Sequence, residues 1–142
     1  MDRDLSVEEF NKIVDAAIAA RANAYVPYSG FSVGAALLAE NGEMITGCNV
    51  ENASYPAGLC AERVAIFSAV AKGLTKYRAI AVSGGMKGQA PADYCMPCGM
   101  CLQVMSEFCD PSFKVYIVKG REEVLQYQLR DLLPETFKSL PI

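Results

Sequence analysis

At 142 residues, with 13 basic and 16 acidic side chains and a net charge of -3, the chain is near the commonest domain size and lacks the basic face that nucleic-acid binding requires. Hydrophobic residues make up 52% of it, enough for a substantial core, yet the longest apolar stretch, Val33 to Ala39, is far short of the roughly 20 residues that cross a bilayer. The first ten residues, MDRDLSVEEF, carry no apolar signal-peptide run, so a single cytoplasmic domain (1–142) with a small, weakly charged ligand is expected.

Ser6-Val7-Glu8-Glu9 is a capping-box pattern. Apolar residues then recur at helical spacing through Phe10, Ile13, Val14, Ala17, Ile18 and Ala24, predicting a helix from about Val7 to Ala24 that ends near Pro27. Ser32 to Ala39 reads as a strand, Asn41-Gly42 as a tight hairpin turn, and Met44 to Val50 as the antiparallel return. A helix from about Ala61 to Lys72 leads into a strand over Ala79 to Ser83. Gly84 to Ala92 holds three glycines and a proline without a clear period, and reads as a loop. A helix from about Cys98 to Cys109 and a strand over Lys114 to Val118 follow. A further strand near Glu123 to Tyr127 and a short helix over Leu129 to Leu133 complete the series. A hairpin followed by alternating helices and strands implies one mixed sheet with helices on both faces. The nearly continuous apolar strands AIAVS and KVYIV suit such two-sided cover.

Six cysteines without any histidine mean that a tight zinc site here is built largely from sulfur. Cys60-Ala61-Glu62 and Pro97-Cys98-Gly99-Met100-Cys101 supply three sulfurs and one carboxyl. Catalytic zinc takes three protein ligands and keeps a fourth position for water, whereas structural zinc takes four. Cys98 and Cys101 are three apart at a predicted helix start, so their sulfurs share one face of its first turn. Pro97 suits that start, because its missing amide costs nothing there. Cys60 stands at the start of another helix, and unpaired amides at two such ends favour thiolates over thiols. Glu62 can reach the same site only if Cys60 is the cap, in a non-helical conformation. Three thiolates leave zinc with excess negative charge, and Arg63 is the nearest group to offset it by bonding a sulfur.

Other accounts of these cysteines compete. A structural zinc site would recruit Cys95 as a fourth ligand, through the run Cys95-x-x-Cys98-x-x-Cys101. An iron–sulfur cluster expects its next cysteine sooner than Cys109. A redox Cys-x-x-Cys pair has only part of its usual context. Plain burial suits Cys48 and Cys109, and Cys95 as well, but leaves Glu62 and Pro97 beside the others unexplained.

At these residues the chain resembles the zinc-dependent cytidine deaminases, in particular the small homotetrameric type, whose centre is a three-thiolate zinc with a glutamate that is not a ligand. The likeness extends to Tyr28-Ser29-Gly30-Phe31-Ser32-Val33-Gly34-Ala35-Ala36-Leu37, to Gly47-Cys48-Asn49-Val50-Glu51-Asn52-Ala53-Ser54-Tyr55, and to Leu132-Leu133-Pro134-Glu135-Thr136-Phe137. It implies a three-layer α-β-α sandwich around a five-stranded mixed sheet. One zinc per chain on Cys60, Cys98 and Cys101 is implied as well, with Glu62 as the proton carrier. Asn49 and Glu51, two apart at a strand end, would bond the ribose hydroxyl groups. Phe31 would line the nucleoside pocket, main-chain groups at Ala61 would read the pyrimidine edge, and Phe137 would close over the base from a neighbouring subunit. Tyr28 and Tyr55 would lie at subunit contacts. The implied reaction is hydrolytic deamination of cytidine and deoxycytidine in pyrimidine salvage.

Two features depart from the family pattern. Leu102 stands where arginine is common after the last cysteine, which leaves more charge compensation to Arg63. The Gly84 to Met96 segment is long and carries Tyr94 and Cys95, which bear on access and substrate range. Deamination of a modified cytosine nucleoside or nucleoside antibiotic is the nearest alternative, and a catalytically silent zinc-stabilised scaffold is a more distant one.

Overall fold

The computed structural model describes residues 5–137. In chain order it contains α1 (Val7–Ala20), β1 (Phe31–Ala39), β2 (Met44–Cys48), α2 (Ala61–Ala71), β3 (Tyr77–Met86), α3 (Gly99–Phe108), β4 (Lys114–Gly120), β5 (Glu123–Gln128) and α4 (Leu129–Leu132). The five strands form one sheet in the order β2-β1-β3-β4-β5. Only the β3–β4 pair is parallel, so the sheet is mixed. The α/β architecture expected from the pattern of elements is the one observed.

Alternation along the strands sorts side chains to the two faces. Ala36, Leu38, Ala79, Ala81, Tyr116 and Val118 meet Ile13, Val14 and Ala17 of α1 on one side. Ala35, Leu37, Ile80, Val115 and Ile117 meet α2 and α3 on the other. Burying one such aliphatic side chain contributes roughly 1.5–3 kcal/mol, whereas an exposed ion pair contributes about 0–1 kcal/mol. Helix α1 is therefore held by Ile13 and Val14 more than by its exposed Arg121–Asp15 pair.

Two glycines let helices lie directly on the sheet. A Cβ at Gly34 would stand 2.2 Å from the Ala17 carbonyl oxygen, and one at Gly47 would stand 2.5 Å from both the Ala61 oxygen and the Ala65 nitrogen. Gly47 thus seats the first turn of α2. Gly47→Ala is expected to lower stability by about 1–3 kcal/mol, because main chain cannot yield as a flexible side chain would. A wild-type midpoint in chemical denaturation would contradict this.

Most boundaries shift by one or two residues from the periodicity reading, and three of the differences bear on the site. Helix α1 stops at Ala20 and tightens into a 3-10 turn over Arg21–Asn23, short of the expected Ala24. The cause is tertiary: Tyr25 bonds Asn49 and Glu51 through its main chain, which requires extended backbone there. Strand β2 ends at Cys48 rather than Val50, which forms isolated bridges to Tyr25 and Leu59 instead. Strand β3 continues through Gly84 and Gly85 to Met86, where a loop was expected, because both glycines pair with β1.

Candidate active site at two helix starts

The carboxyl ends of β2 and β3 and the start of β1 lie at one end of the sheet, and the N-termini of α2 and α3 converge nearby. Cys60 is the N-cap of α2 with φ -74 and ψ 155, and Cys98 is the N-cap of α3 with φ -77 and ψ 165. Both are extended, so the condition that lets Cys60 and Glu62 share a site is met. The sulfurs of Cys60, Cys98 and Cys101 all lie within 4.8 Å of one another. Cys60 Sγ is 3.7 Å from Cys98 Sγ, which is 3.5 Å from Cys101 Sγ. Tetrahedral zinc with bonds of about 2.3 Å to sulfur holds its sulfurs roughly 3.8 Å apart, so this donor set fits that ion. All six cysteines are free, and Cys95 stands outside the group.

Hydrogen bonding from Cys101, with Arg63 adding to it, holds the Cys60 thiol down at about 5. The closeness of Cys60, together with burial, pushes the Cys101 thiol up. Glu62 is only 3% exposed, and burial pushes its carboxyl up to about 7. A carboxyl near the working pH can both accept and return a proton.

Arg63 Nη2 donates to Cys60 Sγ at 3.5 Å. Leu102 turns into the core at 8% exposure, so no cation approaches the sulfurs from that position. Removing the Arg63 guanidinium takes a positive charge from the Cys60 sulfur, so an ion held there would be less electron-poor and would acidify water less. Arg63→Ala is expected to lower kcat/KM about 10- to 100-fold at neutral pH and to move the acid limb of the pH–rate profile upward. An unchanged profile would refute the role.

The remaining predicted residues gather beside this site. Asn49 Oδ1 accepts from Val33 N and its Nδ2 donates to the Phe31 oxygen, both at 2.9 Å. Glu51 Oε1 accepts from the main-chain nitrogens of Tyr28 and Ser29 at 3.1 Å each, and Oε2 accepts from Ser29 Oγ. These bonds, the Ser29 hydroxyl foremost, hold the Glu51 carboxyl below its usual range. Asn49 and Glu51 thus buttress the Tyr28–Val33 segment, flanking the Val50 bridge rather than sharing a strand. Phe31 opens β1 and is 37% exposed, and Ala61 is the fully buried first residue of α2. Phe137 is 61% exposed, and its carbonyl accepts from Gln103 Nε2 at 2.7 Å.

Sequence reasoning passed over Ser29 and Gly84. Ser29 lies within the Tyr28–Leu37 motif, and its hydroxyl was the available signal. At Gly84 a Cβ would stand 2.8 Å from Cys95 Sγ and 2.9 Å from Phe31 Cε2, so the bare backbone makes room for both. Burial pushes the Cys95 thiol up to about 11, with the Glu62 and Cys60 charges adding to it. Two clefts lie away from the sulfurs, one of about 370 Å³ beside Lys76 and Phe108 and one of about 320 Å³ beside Leu129 and Leu133.

Sulfurs so arranged at two helix starts, with a buried carboxyl among them, are the mark of the zinc deaminases as a class. A profile of the family described as the cytidine and deoxycytidylate deaminase zinc-binding region matches residues 7–117. The chain belongs to that family, and zinc is its cofactor. It is 44% identical over 137 residues to a cytidine deaminase from Halalkalibacterium halodurans, covering 96% of this chain and 95% of the relative. It is 42% identical over 129 residues to a cytidine deaminase from Sporosarcina psychrophila, covering 91% of each. The crystal structure of cytidine deaminase from Burkholderia pseudomallei superposes with a TM-score of 0.82 at 42% identity, covering 94% of this chain and all of that one.

Proposed function

We propose that the chain is a hydrolytic cytidine deaminase, converting cytidine or deoxycytidine and water to uridine or deoxyuridine and ammonia in pyrimidine salvage. The observation that carries this reading is the buried Glu62 carboxyl beside three sulfurs spaced for one ion. Zinc on Cys60, Cys98 and Cys101 would lower the pKa of water toward 7 and so supply the nucleophile at neutral pH. Glu62 takes the proton that the attacking water gives up and delivers it to the ring nitrogen beside the amine-bearing carbon. It then takes the proton of the hydroxyl group now on that carbon and passes it to the amino group, so that the carbonyl forms as the C–N bond breaks and ammonia leaves. The N-terminal amides of α2, at Ala61, face the amide-like edge of the base. The polar capacity that Asn49 and Glu51 retain is directed to the ribose hydroxyl groups, while Phe31 packs on the nucleoside.

We place the enzyme in the cytoplasm as a homotetramer with Phe137 closing over a neighbour's site. Tyr55 at 92% exposure, Met100 at 65%, Tyr28 at 62% and Phe137 at 61% support association, since so many large apolar side chains rarely face water without a partner. Six free cysteines suit a reducing compartment. Among the described residues no helix is long and apolar enough to cross a membrane.

A spectrophotometric assay with cytidine and deoxycytidine, beside zinc analysis and sedimentation velocity, tests the reading. Turnover with one zinc per chain and a four-chain mass is expected. Zinc without turnover of any cytosine nucleoside would instead mark a scaffold, and turnover confined to modified nucleosides would narrow the substrate.

A further inference from the structure

We propose that Arg21 is a positioning residue for the nucleoside, fixing from one face of the sheet the corner that presents Phe31 and Cys95 on the other. The proposal rests on the deaminase reading above. Arg21 begins the 3-10 turn after α1, far in sequence from the cysteines. Its Nε donates to the Ser32 carbonyl at 3.1 Å, and its Nη2 donates to the carbonyls of Met86 at 3.1 Å and Gln89 at 3.0 Å. These oxygens belong to the start of β1, the end of β3 and the segment leading to Cys98. One planar guanidinium therefore joins the pieces of chain that meet at this corner.

The glycine pair explains how the segment turns the corner. Successive strand residues face opposite sides of a sheet. On the α1 side, a Cβ at Gly85 would stand 2.8 Å from Pro91 Cα and 2.9 Å from Arg21 Nη2. On the other side Gly84 meets Cys95 and Phe31. The chain after Met86 thus wraps the tip of β3, leaving the Arg21 side at Pro91 and arriving beside Phe31 at Cys95. Phe31 pairs with Met86 and Ser32 with Gly85, so Arg21 grips the rungs from which the pocket wall projects. Lys87 N bonds the Gly30 oxygen at 2.7 Å, extending the same corner to the turn that Glu51 caps. Downstream, Lys119 lies over the Tyr94 ring at 5.8 Å and anchors the far end of the segment. A lysine at position 21 would offer a point charge in place of the fork and would not span the same oxygens.

The test uses the full zinc-loaded chain with Arg21→Ala, Arg21→Lys and Gly85→Ala. If the wall is in place about one-tenth of the time once the latch is lost, KM for cytidine rises about tenfold with kcat changed less than about threefold. Labelling of Cys95 by N-ethylmaleimide, read by peptide mass spectrometry, should accelerate by a similar factor of about ten. Arg21→Lys should fall between Arg21→Ala and wild type in both readouts. Gly85→Ala crowds both the guanidinium and the Pro91 main chain, so a wild-type result in it counts against the latch even if Arg21→Ala does not fold. Wild-type KM and wild-type Cys95 labelling in Gly85→Ala or Arg21→Ala would overturn the proposal. A wild-type chain inactive on every cytosine nucleoside would sink the deaminase reading alone, because the labelling rates still decide the latch.

Discussion

Glu62→Gln is expected to lower kcat on cytidine by about 100- to 10,000-fold while the protein keeps its zinc. Glutamine preserves the size and much of the hydrogen bonding of the side chain, but it can neither take up a proton nor give one back. The position is 3% exposed and lies beside the sulfurs, so bulk water does not readily replace the lost carrier. No protein–metal bond is removed, because the sulfurs of Cys60, Cys98 and Cys101 form the donor group. Single-turnover kinetics with metal analysis of the same sample would check both halves. Near-wild-type turnover would remove Glu62 from the reaction, and loss of zinc would instead make it a ligand.

The second large effect is expected at Cys101. This sulfur is fully buried, 3.5 Å from Cys98 Sγ and within 4.8 Å of Cys60 Sγ. Cys101→Ser swaps a soft donor for a hard one that ionises far less readily, and thiolate is the form that binds zinc. Zinc retained after dialysis should fall to roughly one-tenth or less of wild type, with turnover lost in proportion. The fold should persist at room temperature, since Leu37, Ile66, Ile80, Met105 and Ile117 still fill that face. Cys48→Ala provides the control, lying in β2 outside the sulfur group, and should keep its zinc. Full zinc occupancy in Cys101→Ser would refute the assignment. Acidification should release the metal, because protons compete for the same sulfurs.

Much of this was legible because the information was local. The Ser6–Glu9 capping box forms as its spacing predicts, with Glu9 N on Ser6 Oγ at 3.1 Å and Ser6 N on Glu9 Oε1 at 3.0 Å. The Asn41-Gly42 turn closes the β1–β2 hairpin, and Gly42 adopts the positive φ of 96 that makes glycine useful there. The cysteine spacing was equally direct, since a helix start dictates which sulfurs can meet. What escaped depends on residues distant in sequence. Gly84 and Gly85 read as loop residues because nothing nearby reveals that Cys95, Phe31, Pro91 and Arg21 crowd them. The early end of α1 depends on Tyr25 pairing with Val50, a contact that no helical period announces. Asn49 and Glu51 looked like free polar ends of a strand, whereas their main-chain partners lie about 20 residues upstream.

The unequal clothing of the two sheet faces has a practical consequence. Among the described residues α1 is the helix that packs on one side, with Arg78 of β3 gripping Glu9 and Arg121 gripping Asp15, while the sulfurs of Cys60, Cys98 and Cys101 and the Glu62 carboxyl sit at the starts of α2 and α3. The α1 layer can therefore be re-engineered for heat tolerance or solubility largely without disturbing chemistry. Its last turn, where Arg21 reaches over to the working side, is where that freedom stops.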